Sequence, residues 1–390
     1  MSLHPLVGHE RSRAGVARSL ASARLPRVLL LHGSRGIGKQ RFGLWMGQLL
    51  LCDAPEDKGP CGVCRECRLA LRLEHPDLLW YFPVKRPPSR GSIDRDREAL
   101  EEARGEVLEH LRADPLQPSR SDEVKGLHLG TVRNLRREAA RRPAMARRRL
   151  ILVADAEQLV AQESSPEAAN ALLKILEEPP EDCFFVLTSS EPGRLLPTIR
   201  SRAAALYLAA LPQGRVESFL REHTDATKES IERATRLSGG SIGLALGFLP
   251  GANEPGPLEV LRQESFHLLR AALGSRSADR FTQALRHAPS GARGLHPLLE
   301  FLGIWLRDLA AVATSERAPM LNEDARTWFV KAVRGRRIEA ADAARCMTRV
   351  EEARTRASGN VNPQLLLNQL LLDLNEMLVG SRSTASSETR

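Results

Sequence analysis

No apolar stretch in this chain of 390 residues is long enough to span a bilayer. The opening residues, Met1-Ser2-Leu3-His4-Pro5, hold no signal-peptide core. These two absences argue against membrane insertion and export, so the expected location is the cytoplasm, with no membrane partner. Aromatic residues are scarce at 4%, so the 42% of apolar residues that must build the cores is mostly aliphatic. Cysteine is rare as well. Of six, four are clustered, which in a reducing compartment points to metal rather than disulfides. What the chain does have is positive charge. The formal balance is +9 (57 basic against 48 acidic residues), carried mostly by arginine, and it suits a polyanionic partner. The length allows two or three domains.

Residues up to about 207 read as α/β. The runs at 28–31, 150–154 and 184–187 are short and continuously apolar, as strands buried on both faces are. Helical periodicity follows the first run over 42–51. It recurs over 168–176 and stops before Pro179-Pro180. This alternation predicts a parallel sheet with ligands at the carboxyl ends of its strands. Residues 83–118 break the pattern with Arg86-Pro87-Pro88-Ser89-Arg90-Gly91-Ser92 and a charged helical run over 95–111. A partly mobile surface insertion is expected there. Beyond 207 the strand signals fade. Two or three short helices are expected over 216–246, a linker over 251–257, and mostly helix from 258 to about 378, with stripes such as Leu298, Leu299, Leu302 and Leu306. The tail 380–390, rich in Ser and Thr, is expected to be disordered.

The first apolar run leads into His32-Gly33-Ser34-Arg35-Gly36-Ile37-Gly38-Lys39-Gln40. This is G-x-x-x-x-G-K after a strand, the pattern whose backbone amides and lysine cradle phosphates. The next position should be Ser or Thr, whose hydroxyl holds Mg²⁺. Here it is Gln40. The run at 150–153 continues into Ala154-Asp155-Ala156-Glu157. A nucleotide-driven motor needs adjacent carboxylates there, one to support Mg²⁺ and one to polarise the attacking water. Position 154 is Ala, and the acid that follows is a methylene too short. Taken alone, Asp155 reads equally well as a strand-end cap. Taken with Gln40, the losses agree, and neither Mg²⁺ nor hydrolysis is expected. Gly33, Gly36, Gly38 and Lys39 remain, which leaves two readings of the loop open: binding of ATP or ADP, or survival as a fold element.

Cys52, Cys61, Cys64 and Cys67 have the form C-x8-C-x2-C-x2-C. Four thiolates close a tetrahedral zinc shell and leave no open position, so a structural zinc is expected. Ferredoxin-type iron–sulfur runs place their fourth cysteine downstream, before a proline, whereas here it lies upstream. Cys183 and Cys346 read as packing residues. Residues 133–149 hold eight arginines and one acid, Glu138. Arg133, Arg136, Arg137 and Arg141 fall at i, i+3, i+4 and i+8 and are expected on one helical face. That face could meet DNA phosphates, or it could be solvated or salt-bridged to another subunit.

Ala168-Ala169-Asn170-Ala171-Leu172-Leu173-Lys174-Ile175-Leu176-Glu177-Glu178-Pro179-Pro180 resembles the AANALLKxLEEPP segment of bacterial clamp-loader subunits, members of the AAA+ class. Other segments are similar to theirs: the cysteine module inside the first βα unit, His75-Pro76-Asp77-Leu78 after it, and Ser201-Arg202-Ala203, with Ala203 in place of Cys. Ser238-Gly239-Gly240-Ser241-Ile242-Gly243 resembles the lid motif, and Asn360-Val361-Asn362-Pro363 the end of the collar. The resemblance implies an α/β AAA+ domain over 1–207 with a zinc module at 52–67, a helical lid over 208–250, and an all-α collar over 251–379. It implies a ring of five subunits with gamma/tau and delta partners, acting on a sliding clamp and primer–template DNA. ATP would sit at subunit boundaries, and Arg202 would be the finger that reaches a neighbour's site. Gly243 stands where motor subunits carry a nucleotide-sensing arginine. With Gln40 and Ala154, that departure fits the delta-prime branch of DNA polymerase III subunits better than the gamma/tau motors. Two further readings stay open: an ATP-hydrolysing motor, and a stand-alone zinc-containing nucleic-acid-binding protein.

Overall fold

The computed structural model describes residues 3–116, 125–159, 167–251 and 254–380. The expected disordered tail lies outside the described residues, apart from Gly380. The chain forms two compact units, one built of residues up to 246 and the other of residues from 247 onward.

In the first unit, α1 (Glu10–Ala21) precedes β1 (Val28–His32), α2 (Lys39–Leu51) and the short α3 (Arg65–Leu71). Then come β2 (Leu78–Tyr81), β3 (Val84–Lys85), α4 (Ile93–Ala113), β4 (Lys125–Gly126) and α5 (Leu129–Ala139). The alternation continues through β5 (Arg149–Val153), α6 (Glu167–Glu177), β6 (Cys183–Ser189), α7 (Pro197–Arg202) and β7 (Ala204–Tyr207). Three helices follow: α8 (Gln213–His223), α9 (Lys228–Leu237) and α10 (Ile242–Phe248), the last of which begins in the first unit and ends two residues past its boundary.

The sheet has the order β2-β5-β6-β1-β7, and every neighbouring pair is parallel. Successive residues of a strand face opposite sides. Leu150 and Leu152 therefore join Leu29, Leu31, Phe42 and Met46 in one core, while Ile151 and Val153 join Leu30, Phe185 and Leu172 in the other. Burial on both sides is why β1, β5 and β6 read as unbroken apolar runs. The edge strand β7 has no such signature, because Ala204 and Ala205 are exposed and Tyr207 keeps 59% of its surface. The charged run in 83–118 forms α4. Its Ala99 and Leu100 are buried, and Arg104 lies over the Tyr81 ring at 4.9 Å and donates to the Trp80 carbonyl at 3.3 Å. This docks one stripe of a helix that is otherwise charged.

The second unit is helical: α11 (Pro257–Ala272), α12 (Ser277–His287), α13 (Leu295–Thr314), α14 (Arg326–Arg336), α15 (Ala340–Ala357) and α16 (Pro363–Leu378). Its core is centred on α13, where Leu298, Leu299, Leu302 and Leu306 are buried as their spacing implies. Inside it, Arg262 is held by Glu259 at 2.8 Å and Asp324 at 2.8 Å, so its buried charge is paired.

Candidate functional site

The four-cysteine module grows from the end of α2. Cys52 caps that helix, Cys61 lies in the following loop, Cys64 caps α3, and Cys67 sits in its first turn. All four sulfurs lie within 4.8 Å of one another, with Cys52–Cys61 at 3.5 Å and Cys61–Cys67 at 4.0 Å. Those separations are too long for disulfides. They fit a tetrahedral ion, since ligand bonds of about 2.3 Å put sulfurs about 3.8 Å apart. The backbone N–H groups of Cys61, Cys64 and Cys67 each donate to the preceding cysteine's sulfur at 3.4 Å. Such donors favour thiolate: N–H groups of Cys64 and Val63 bring the Cys61 thiol down to about 7, although burial pushes the Cys52 and Cys67 thiols up. The cluster could therefore hold a metal ion. Glu66 in this module also bonds the buried His75 at 2.5 Å, tying the module to the segment before β2.

The phosphate-type loop joins β1 to α2. Gly33, Gly36 and Gly38 have φ of 149°, 74° and 96°, values that side chains resist. Lys39 does not reach outward. Its ammonium donates to the carbonyls of Gly33 (2.9 Å) and Ser34 (2.8 Å) and to Ser190 Oγ (2.9 Å). All three of its donors are thus satisfied by protein. Burial lowers its pKa, which the nearby Asp155 and Glu157 carboxylates partly offset. Gln40 donates to Asp155 Oδ2 at 3.2 Å, so the residue in the hydroxyl's place is spent on the residue in the acid's place. Burial, and then the Glu157 charge, raise the pKa of Asp155. Glu157 itself is buried. One of its oxygens accepts the Ser190 N–H at 3.0 Å and the other has no hydrogen-bond partner.

One point of the loop also meets α10, although Ser34 and Arg35 stay exposed. The Gly243 N–H, in the first turn of α10, donates to the Gly36 carbonyl at 3.0 Å. A Cβ on Gly243 would come within 2.9 Å of that same oxygen, and one on Gly36 within 2.4 Å of Ser241 Oγ. The backbones meet because neither residue has a side chain, and position 243 has no room for an arginine.

Arg202 ends α7, at the other end of the sheet. Since Ala204 pairs with Leu29, Arg202 lies beside the start of β1, whereas Lys39 lies past its end. Roughly 16 Å of strand separates the two levels. Arg202 donates to the Thr198 carbonyl at 3.0 Å and to Glu177 Oε1 at 2.6 Å, and its side chain stays one-third exposed.

Arg133, Arg136 and Arg137 are exposed on α5. Arg141 is exposed as well, but it lies beyond the helix end at Ala139 and pairs with Glu138 at 2.8 Å. Arg149, counted with the same basic run, is not on that surface. It opens β5 with 4% exposure and pairs with the fully buried Asp77 at 2.9 Å. Asp77 also accepts the N–H groups of Ala144, Met145 and Ala146. That is the structural use of the His-Pro-Asp-Leu segment. Neither this pair nor Glu177–Arg202 was legible in the sequence, since the partners are 72 and 25 residues apart.

A parallel sheet with a glycine-rich loop after its first strand, a short helix seated on that loop, and a four-thiol module after the loop's helix form an α/β domain of the AAA+ kind expected from the sequence. Residues 8–212, more than half of the chain, match the family described as "DNA polymerase III, delta subunit". The delta-prime subunit of DNA polymerase III from Escherichia coli (strain K12) is 32% identical over 226 residues, 58% of this chain and 55% of that protein. Its counterpart from Pseudomonas aeruginosa is 34% identical over 214 residues, 54% of this chain and 52% of that protein. A gamma/tau subunit from Mycobacterium bovis is 29% identical over 219 residues, 56% of this chain and 30% of that protein. The chain belongs to the DNA polymerase III delta-prime family, and its match spans about half the length of the delta-prime relatives.

Proposed function

We propose that this chain is the non-hydrolysing delta-prime subunit of a bacterial clamp loader, which helps a ring of gamma/tau and delta partners place a sliding clamp on primed DNA. One observation carries the reading: Arg202 and Lys39 stand at opposite ends of the sheet. An arginine so placed cannot serve its own loop, but it can serve a neighbour's. There it would stabilise charge building on the transferring phosphoryl group. The chain's own loop is a fold element in this reading. Lys39 and Gln40 are bonded internally, and α10 closes over Gly36. Zinc held by Cys52, Cys61, Cys64 and Cys67 would cross-link the end of α2 to α3 and take no part in chemistry. Arg133, Arg136, Arg137 and Arg141 would meet DNA phosphates in the ring's chamber.

The gamma/tau similarity favours a motor as the second reading. An ATPase assay on the assembled ring separates the two. Arg202→Ala is expected to lower DNA-stimulated turnover by about tenfold or more, since fingers of this kind carry large factors. The isolated chain should show no turnover at all. Full-speed hydrolysis by the Arg202→Ala ring would remove the finger, and turnover by the isolated chain that is lost in Lys39→Ala would make it a motor.

A further inference from the structure

Arg202 is not the only guanidinium at its end of the sheet. Leu29 pairs with Ala204, so Arg27 and Arg202 each stand two residues before the first paired positions of β1 and β7. Both side chains reach the same stretch at the end of α6: Arg202 bonds Glu177 and Arg27 bonds the Pro179 carbonyl. Both backbones are fixed: the Arg27 carbonyl accepts the Phe185 N–H of β6 at 2.7 Å, and Arg202 terminates α7 one residue before β7. The two side chains line one open hollow of about 380 Å³, together with Pro26, Val28, Leu176 and Pro179.

Charge in this hollow is unbalanced. Arg202 has Glu177. Arg27 is exposed, and its side chain has a single neutral contact, the Pro179 carbonyl at 3.3 Å. Among the described residues no acid pairs with it. Two guanidiniums that line one hollow favour an anion between them, and their planar forks suit phosphate oxygens. One carboxylate cannot neutralise both.

We infer that Arg27 and Arg202 form a two-arginine site for the polyphosphate of a nucleotide held by an adjoining subunit. This rests on the reading of Arg202 as a finger. Arg27 binds phosphate in the ground state, while Arg202 meets the charge that develops in the transition state. Glu177 is a positioning residue. It holds one N–H of the Arg202 fork, the Thr198 carbonyl takes another, and the others are left for the ligand.

The test is the ATP dependence of turnover by the assembled ring, with and without primed DNA, for Arg27→Ala, Arg27→Lys and Arg202→Ala. A ground-state contact appears in KM and a transition-state contact in kcat. Arg27→Ala is expected to raise the KM for ATP about tenfold, as loss of a charged hydrogen bond does, with a smaller change in kcat. Arg27→Lys should recover part of that loss, and Arg202→Ala should lower kcat. An unchanged KM in Arg27→Ala, beside a collapsed kcat in Arg202→Ala, overturns the two-arginine site and leaves the finger standing. An Arg202→Ala ring at full speed removes the finger reading itself. A defect in Arg27→Ala that appears only with DNA, in step with weaker DNA binding, assigns the pair to the DNA backbone and overturns the nucleotide. Should Arg27→Ala fail to fold, Arg27→Gln and Arg27→Lys carry the same comparison.

Discussion

Asp77 has no solvent exposure, yet it carries a charge that three backbone N–H groups and Arg149 surround. Burial alone would raise its pKa. The N–H donors, then Arg149, overcome that and hold it below the ordinary carboxylate range. A carboxyl whose pKa falls on folding adds stability above its unfolded value, about 3.9, and loses it as pH falls through the folded value. The contribution is therefore full at neutral pH and disappears only in acid. Asp77→Asn leaves Arg149 buried without its counter-charge, and we expect a cost of about 3 kcal/mol at pH 7. Urea titrations from pH 7 down to pH 3 should show a shallower acid limb in the variant. Matching limbs would mean that Asp77 is not the titrating group. The same basic run shows what spacing can and cannot tell. Arg136 and Arg149 look alike in the sequence, but the first stands on solvent and the second is a core ion. Helical phase identified the exposed face of α5, while the partner that draws Arg149 inward lies 72 residues away.

At the scale of elements, the strands buried on both faces announced themselves, and so did the loop between β1 and α2. Apolar runs and glycine spacing are local signals. The strand at Leu78–Tyr81 is only four residues long, and the exposed β7 has no apolar run to betray it. The seat of α10 on Gly36 is a contact across two hundred residues, and no spacing rule reaches that far. It bears on repair of the site. Restoring Gln40→Thr and Ala154→Asp together should give no measurable ATP turnover, because Lys39 stays bonded to its own loop and to Ser190 and α10 stays seated on Gly36. Gly243→Arg should instead lower the stability of the first unit by about 1–3 kcal/mol through overpacking on the Gly36 carbonyl, read by thermal denaturation. An unchanged melting temperature would mean that α10 lifts away at little cost. The cysteine module makes a separate prediction at this scale. Metal analysis should find about one zinc per chain, and Cys64→Ser should lose it along with part of the thermal stability.

At the scale of the whole molecule, the proposed function makes this chain one part of a larger machine, and its clearest predictions need the assembly. Reversing Arg136 and Arg137 to Glu should weaken DNA binding by the ring most at low salt, and should reduce the salt slope by about one per lost phosphate contact. An unaltered slope would return that face of α5 to solvent or to a neighbouring subunit. Family, sheet class, the thiol spacing and the missing metal ligands could all be read along the chain, because each is a pattern of neighbours in sequence. Three things could not: which arginines stay outside, that Lys39 bonds back onto its own loop, and that Arg27 and Arg202 line one hollow at the far end from that loop. Those depend on strand register and on contacts between distant segments, which exist only once the sheet has closed.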